Sequence, residues 1–254
     1  MITLGTSNIS KLYVGETPIK AAYLSEERIF PATPAHTFDG LLAYFDAIDN
    51  EGTGVHNPSP TGWYDLVRGI KATVHNCTWG PDYITTNGGN SKIVHPAVPI
   101  HGYTFVTTNE MLSRTGTNVR VWGDGPSTPC LYYYSTRNWD LGFYGQNVDN
   151  TIEPRIKTYP NRRMNYILRC PPWTGGTVEP ELFINGVKIP TPNVVISTVP
   201  GSPTSMWIAC RGTDNARTMH GNTHEHLIYN RPLSDAEVAN AFAVAQDRYG
   251  VVAD

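Results

Sequence analysis

The sequence is poor in charge, sparing with cysteine and free of long apolar runs. Charged residues make up 16% of the 254 positions, and the formal net charge is −3. No block of Lys and Arg stands out, so the electrostatic footprint of a nucleic-acid-binding protein is missing. No stretch of about 18 apolar residues occurs, which leaves no helix to insert in a membrane. The first residues lack a basic region followed by an apolar run and a cleavage site, so a Sec signal peptide is not expected. The four cysteines, Cys77, Cys130, Cys170 and Cys210, form no CxxC pair. Zinc is therefore a poor reading for them, buried free thiols are the expectation, and a disulfide stays open.

What the sequence does contain is turn formers and rings: Gly 23, Pro 20 and Tyr 14. That is the composition of a β protein with many short strands and tight turns. The length suits one large sandwich with a sizeable core. Strand-like runs recur at 38–46, 71–75, 103–111, 119–122, 130–134, 139–144, 164–170 and 205–211. Residues 48–62, rich in Asn, Gly, Pro and Ser, read as a loop. Residues 181–189 read as a hairpin turning at Asn185-Gly186.

The clearest local punctuation closes the chain. Residues 224–229 read as a short strand, broken by Asn230-Arg231-Pro232. Ser234 then caps a helix, with Glu237 three residues on as its capping-box partner. Leu233 and Val238 have the spacing of a hydrophobic staple. Val238, Phe242, Ala245 and Tyr249 make one apolar stripe, predicted to pack on the sheets, and Gly250 ends the helix.

Residues 1–33 stand apart. Leu12-Tyr-Val-Gly-Glu-Thr-Pro-Ile19 and Ala22-Tyr-Leu-Ser-Glu-Glu-Arg-Ile29 echo each other as strand, polar turn and return strand. Hairpins this small cannot bury a core alone. Their edges and apolar side chains need a cover, which makes Leu12, Tyr13, Val14, Ile19, Tyr23, Ile29 and Phe30 candidate partner-binding residues. An ordinary strand pair of the sandwich is the competing reading. Pro31-Ala-Thr-Pro34 reads as a stiff linker. The expected division is an attachment module at 1–33 and a sandwich at 34–254.

Nine positions of the closing stretch carry a resemblance: Glu225, Tyr229, Asn230, Arg231, Leu233, Ser234, Glu237, Tyr249 and Gly250. In that order and spacing they resemble the last strand and helix of concanavalin A-like (laminin G-like) jelly rolls. The run 38–46, Trp63-Tyr-Asp-Leu66, the Asn185-Gly186 hairpin and 205–211 are similar to other parts of that family, so the resemblance covers about 38–250. It implies an all-β, antiparallel two-sheet jelly-roll sandwich with a short C-terminal helix. Residues 1–33 resemble small modules of bacteriophage virion proteins, often tail components. Together these resemblances imply a virion structural or adhesion protein, tail-associated or capsid-decorating, assembled in the host bacterial cytoplasm. Its implied partners are other virion proteins or copies of itself, with host cell-surface glycans as a further candidate. A secreted carbohydrate-binding module is the alternative, and a glycoside hydrolase is the third reading. No cofactor is implied.

Hydrolases of this fold place two carboxylates on one strand, typically as Glu-x-Asp-x-x-Glu, where period-2 geometry aims them together. That pattern is missing, as is a G-x-S-x-G elbow, and Glu225 has no carboxylate two positions away. No bond-breaking chemistry is expected and no catalytic residue is named. Tyr132, Tyr134, Arg137, Trp139 and Asp140 are the densest group of rings with polar neighbours and form the candidate glycan-binding set, although such rings equally suit a core. His220, His224 and His226 fall close together, and alternation would put His224 and His226 on one strand face. Such imidazoles can ligate zinc or copper, but with no fourth ligand evident, sheet packing or a solvated face is the expectation. Asp46, Asp49, Asn50 and Glu51 could offer oxygens to calcium, but the spacing is not an EF-hand loop and an Asx-rich turn is the plainer reading. No metal site is expected.

Overall fold

A computed structural model describes residues 35–96, 102–113, 121, 160–172, 178–190, 208–209 and 218–253 in full, and the backbone of the remaining strands. Among the described residues the protein is nearly all β, with two large antiparallel sheets and one C-terminal helix, as expected for a jelly-roll sandwich. One sheet runs in the order β17 (Val187–Ile189), β16 (Glu181–Ile184), β15 (Arg163–Cys170), β11 (Tyr103–Ser113), β19 (His220–Tyr229), β9 (Ile84–Asn87) and β8 (Cys77–Trp79). Strand β5 (Leu41–Asp46) is its eighth member and also pairs with β19. The other sheet runs β14 (Leu141–Tyr144), β13 (Cys130–Tyr133), β12 (Val119–Gly123), β18 (Ser205–Ile208), β10 (Lys92–Pro96), β7 (Lys71–His75) and β6 (Trp63–Tyr64). Helix α1 spans Asp235–Tyr249.

Two small antiparallel pairs precede the sandwich: β1 (Tyr13–Val14) with β2 (Thr17–Pro18), and β3 (Ala22–Leu24) with β4 (Glu27–Phe30). They are the two hairpins of the N-terminal echo. Of the candidate partner-binding residues, Tyr13, Val14, Tyr23, Ile29 and Phe30 lie in these strands, while Leu12 and Ile19 fall outside the described residues.

Alternation fills the space between the sheets. Phe105, Tyr166, Leu168, Leu182, Ile228 and Phe45 from the eight-stranded sheet meet Trp63, Ala72, Ile93 and Ile208 from the seven-stranded one. Trp63 is fully buried, and its indole N–H donates to the Asp46 carbonyl at 3.0 Å, so the ring enters the core without an orphaned donor. The predicted hairpin is present: Asn185 (φ 48) and Gly186 (φ 77) both take the left-handed conformation of a type I′ turn.

The helix covers the outer face of the eight-stranded sheet, where Val106, Ile167, Phe183, Leu227 and Tyr229 receive Leu233, Val238 and Ala241. Its capping box is formed on both sides: the Ser234 hydroxyl accepts from the Glu237 N–H at 3.3 Å, and the Glu237 carboxylate accepts from the Ser234 N–H at 2.8 Å. Arg231 adds two bonds to that carboxylate, which is the main reason Glu237 is held down to about 2. Gly250, at φ 64, closes the far end. The buried stripe differs from the predicted one, consisting of Val238, Ala241, Val244, Ala245 and Tyr249. Phe242 is only half-buried and rests on the Gly186 turn, where an added Cβ would come within 2.5 Å of its ring. Two alanines let the helix axis sit close to the sheet, and the bulky ring is displaced to the flank.

Candidate functional site

Strand β19 organises the outer face. It is ten residues long, whereas the sequence predicts a short strand starting at His224. Its 220–223 half pairs with β9 and its 225–229 half with β5, while β11 runs along its other side throughout. The handover falls on His224, which a bulge leaves without a register partner on β11.

That bulge corrects the expected histidine set. His226 points into the core, with its ring 6.2 Å from Phe105 and 6.1 Å from His95 of the opposite sheet. His224 turns to the helix side instead, with rings 5.6 Å from Tyr249 and 5.9 Å from Tyr83, and its Nδ1 lies 2.7 Å from the Asp82 carbonyl. The two histidines therefore do not share a face. Burial pushes His226 well below its ordinary pKa, with neighbouring His95 adding to the shift, and burial pushes His224 down too. His220 sits apart, hydrogen-bonded to Ser113. Among the described residues no cluster has the makings of a metal site.

Two polar rows cross the outer face side by side. The first is buried. Asn165, Thr108, Glu225 and Asp46 are register neighbours across β15, β11, β19 and β5. The Asn165 amide donates to Thr108 Oγ1 at 3.0 Å, and Thr108 donates to Glu225 Oε1 at 2.7 Å. His36 Nε2 lies 2.8 Å from Glu225 Oε2. Asp46 accepts from Tyr249 Oη at 2.9 Å, from Tyr44 Oη at 3.2 Å and from the Ile48 N–H at 2.8 Å, and it pairs with Arg248. Burial holds both tyrosines well above their ordinary pKa. Asp46 is thus committed to the helix. Its neighbours in the loop are committed to turns: Asp49 accepts from the Gly54 N–H, and Asn50 both accepts from and donates to the Asn57 backbone. These are the bonds of an Asx-rich turn.

The second row is more open, although its central Asn222 is buried. Arg163, Glu110, Asn222, Thr85 and Thr78 are register neighbours across β15, β11, β19, β9 and β8. Arg163, Glu110 and Thr85 are half-buried and Thr78 is exposed. Thr85 donates to Asn222 Oδ1 at 2.7 Å, Asn222 donates to Glu110 Oε2 at 3.0 Å, and Arg163 pairs with Asp82 at 2.7 Å. Tyr83, just before β9, lies over Gly80, where an added Cβ would fall 2.2 Å from its ring, and beside His224, 5.9 Å away between ring centroids. Sequence reasoning missed this row. Each strand contributes one polar residue at an outward position, and only long-range pairing aligns them.

Of the candidate glycan-binding residues, Tyr132 lies in β13, its backbone paired with Arg120 and Gly142. Tyr134, Arg137, Trp139 and Asp140 fall outside the described residues. Cys77 and Cys170 are free thiols, Cys170 buried and Cys77 half-buried.

No family model matches the chain, and no curated protein matches it. Solved structures do. A Trypanosoma rangeli sialidase in complex with sialic acid aligns over 82% of this chain at 17% identity and TM-score 0.60. The same sialidase as a covalent intermediate with 2,3-difluorosialic acid aligns over 86% at 18% identity and TM-score 0.61. The chain spans about a third of those sialidase chains, 33% and 36%. Domain 4 of AbnA, a GH43 extracellular arabinanase from Geobacillus stearothermophilus in complex with arabinotriose, aligns over 79% of this chain and 97% of its own length, at 15% identity and TM-score 0.55. At these identities the likeness shows the fold, a β-sandwich shared with carbohydrate-active proteins. It also corrects one expectation. The expectation of no bond-breaking chemistry rests on a missing Glu-x-Asp-x-x-Glu pair and a missing G-x-S-x-G elbow, yet the fold is shared with chains of sialidases, so those absences do not set this protein apart from hydrolases.

Proposed function

We propose that the sandwich is a carbohydrate-binding domain. The observation that carries this reading is the fit to the arabinanase domain, which is matched over nearly its whole length and was solved with an oligosaccharide. The polar outer face of the eight-stranded sheet is consistent with it. Isothermal titration of the full chain against a panel of oligosaccharides, arabinotriose and sialyllactose among them, should give saturable binding to at least one member. Binding to none at millimolar concentrations would remove the reading. Product analysis of the same samples reports whether a bound sugar is cleaved.

A second reading concerns how the domain is held, and the two separate hairpins at 13–30 favour it. On this proposal the hairpins anchor the protein to its own copies or to another virion protein, as their resemblance to virion modules suggests. Residues 35–39 support such an anchor, because they are docked on the sandwich: Asn240 donates to the Ala35 carbonyl at 2.6 Å, His36 meets Glu225, and Arg231 pairs with Asp39 at 2.9 Å. Deleting residues 1–33 should leave a folded sandwich with an unchanged melting temperature that no longer assembles, as read by analytical ultracentrifugation. Unfolding of the truncated chain would instead place the hairpins in the sandwich core.

A further inference from the structure

We propose that the open row Arg163–Glu110–Asn222–Thr85–Thr78, with the Tyr83 ring beside it, is a contact surface for a neutral oligosaccharide. The proposal rests on the carbohydrate-binding reading and adds the place and the class of sugar.

The row has the chemistry that sugar hydroxyls need. It offers a carboxylate and an amide oxygen as acceptors, an amide N–H and a guanidinium as donors, and hydroxyls that do both. These groups are already fixed by one another: Thr85 donates to Asn222 at 2.7 Å, and Asn222 donates to Glu110 at 3.0 Å. Asn222 is 6% exposed, so its amide is held at a set angle beneath its half-buried neighbours. A preset row costs little side-chain entropy on binding. Five neighbouring strands carry it over roughly 19 Å, the reach of an extended ligand rather than a single ring. Tyr83 is half-buried, and its packing over Gly80 fixes the ring as a stacking surface at one side of the row.

Charge chooses the class. Arg163 is engaged by Asp82 at 2.7 Å and by the Tyr249 carbonyl at 2.6 Å, and among the described residues the Glu110 carboxylate has no ion-pair partner of its own and accepts from Asn222. His224, behind Asp82, is fully buried and adds no surface charge of its own. A sialic acid carboxylate laid here would meet two carboxylates and one guanidinium already engaged. A neutral sugar meets no such repulsion and uses Glu110 as an acceptor.

Three variants and one mapping experiment test this: Glu110→Gln, Asn222→Ala and Tyr83→Ala, each titrated with arabinotriose, xylotriose, maltotriose, cellotriose and 3′-sialyllactose. The wild type should bind a neutral member and prefer it to sialyllactose. Each variant should weaken that binding about tenfold. Melting curves check that the variants are folded. Amide shifts of the wild type on titration with the bound sugar should cluster at Tyr83, Thr85, Glu110 and Asn222, a readout that needs no variant. Unchanged affinity in folded variants, with shifts elsewhere, overturns the placement and leaves the carbohydrate-binding reading standing. Preference for sialyllactose overturns the neutral class. Binding to no glycan removes both the site and the reading beneath it.

Discussion

Asp46→Ala is expected to lower the unfolding free energy by about 3 kcal/mol, the lower end of the cost of breaking a buried ion pair from one side, since the Arg248 side chain left behind is partly exposed. Asp46 is 1% exposed. Its carboxylate is where the first strand of the sandwich and the last helix meet: Tyr249 Oη donates at 2.9 Å, Tyr44 Oη at 3.2 Å, and Arg248 pairs with it. Removing it takes an acceptor from the buried Tyr249 and the half-buried Tyr44 and leaves a guanidinium whose Nε already lacks a partner among the described residues. Asp46→Asn keeps the shape and part of the hydrogen bonding, so it should cost less than the alanine variant. Urea unfolding followed by tryptophan fluorescence measures both. A loss below about 1 kcal/mol for the alanine variant, the scale of an exposed ion pair, would show that this junction is not a stability centre.

Stability should also fall steeply in acid, and core histidines are the reason. His95 and His226 face each other between the sheets, their rings 6.1 Å apart and both nearly inaccessible. Burial pushes His95 down to about 4 and His226 lower than its ordinary value. The unfolded chain takes up these protons near 6.5 while the folded chain refuses them, so it binds more protons below that point. The neutral-histidine contribution is complete above pH 6.5 and is lost as the pH falls toward 4. For His95 alone the loss is about 3 kcal/mol. Urea midpoints at pH 7.5, 5.5 and 4.5 should trace that decline, and His95→Phe should flatten it, since a phenyl ring removes the titrating group and can keep the tilted ring contact with Phe45. An equal slope in wild type and variant would move the acid sensitivity to other groups.

Local signals in the sequence carried far. The Ser234 capping box, the Leu233–Val238 staple, the Gly250 stop and the Asn185-Gly186 turn all act within a few residues, and all are present. The failures concern position across strands. Gly221 and Asn222 are weak strand formers, yet they belong to β19 because β11 and β9 clamp them from both sides. The bulge that separates His224 from His226 depends on the exchange of β9 for β5, which no local pattern records. The helix stripe departs from its expected form only at Phe242, with Val238, Ala245 and Tyr249 buried: an alanine-lined contact looks weak in a hydrophobicity pattern but allows the closest approach, so Phe242 stays at the flank. The open polar row follows the same logic, since outward polar residues look like ordinary solvent-facing positions until pairing aligns them.

The exchange of partners along β19 has a consequence for the order in which the molecule can be made. Strands β5, β9 and β11 all leave the ribosome before β19, and all three hydrogen-bond to it. Until β19 arrives, β11 lacks one neighbour and β5 has none in this sheet, so each holds an unsatisfied edge in the meantime. The sandwich cannot close strand by strand from its N-terminal end; the sheet waits for one late segment and then joins in a single step of high sequence separation, a topology that folds slowly and is exposed to aggregation while it waits.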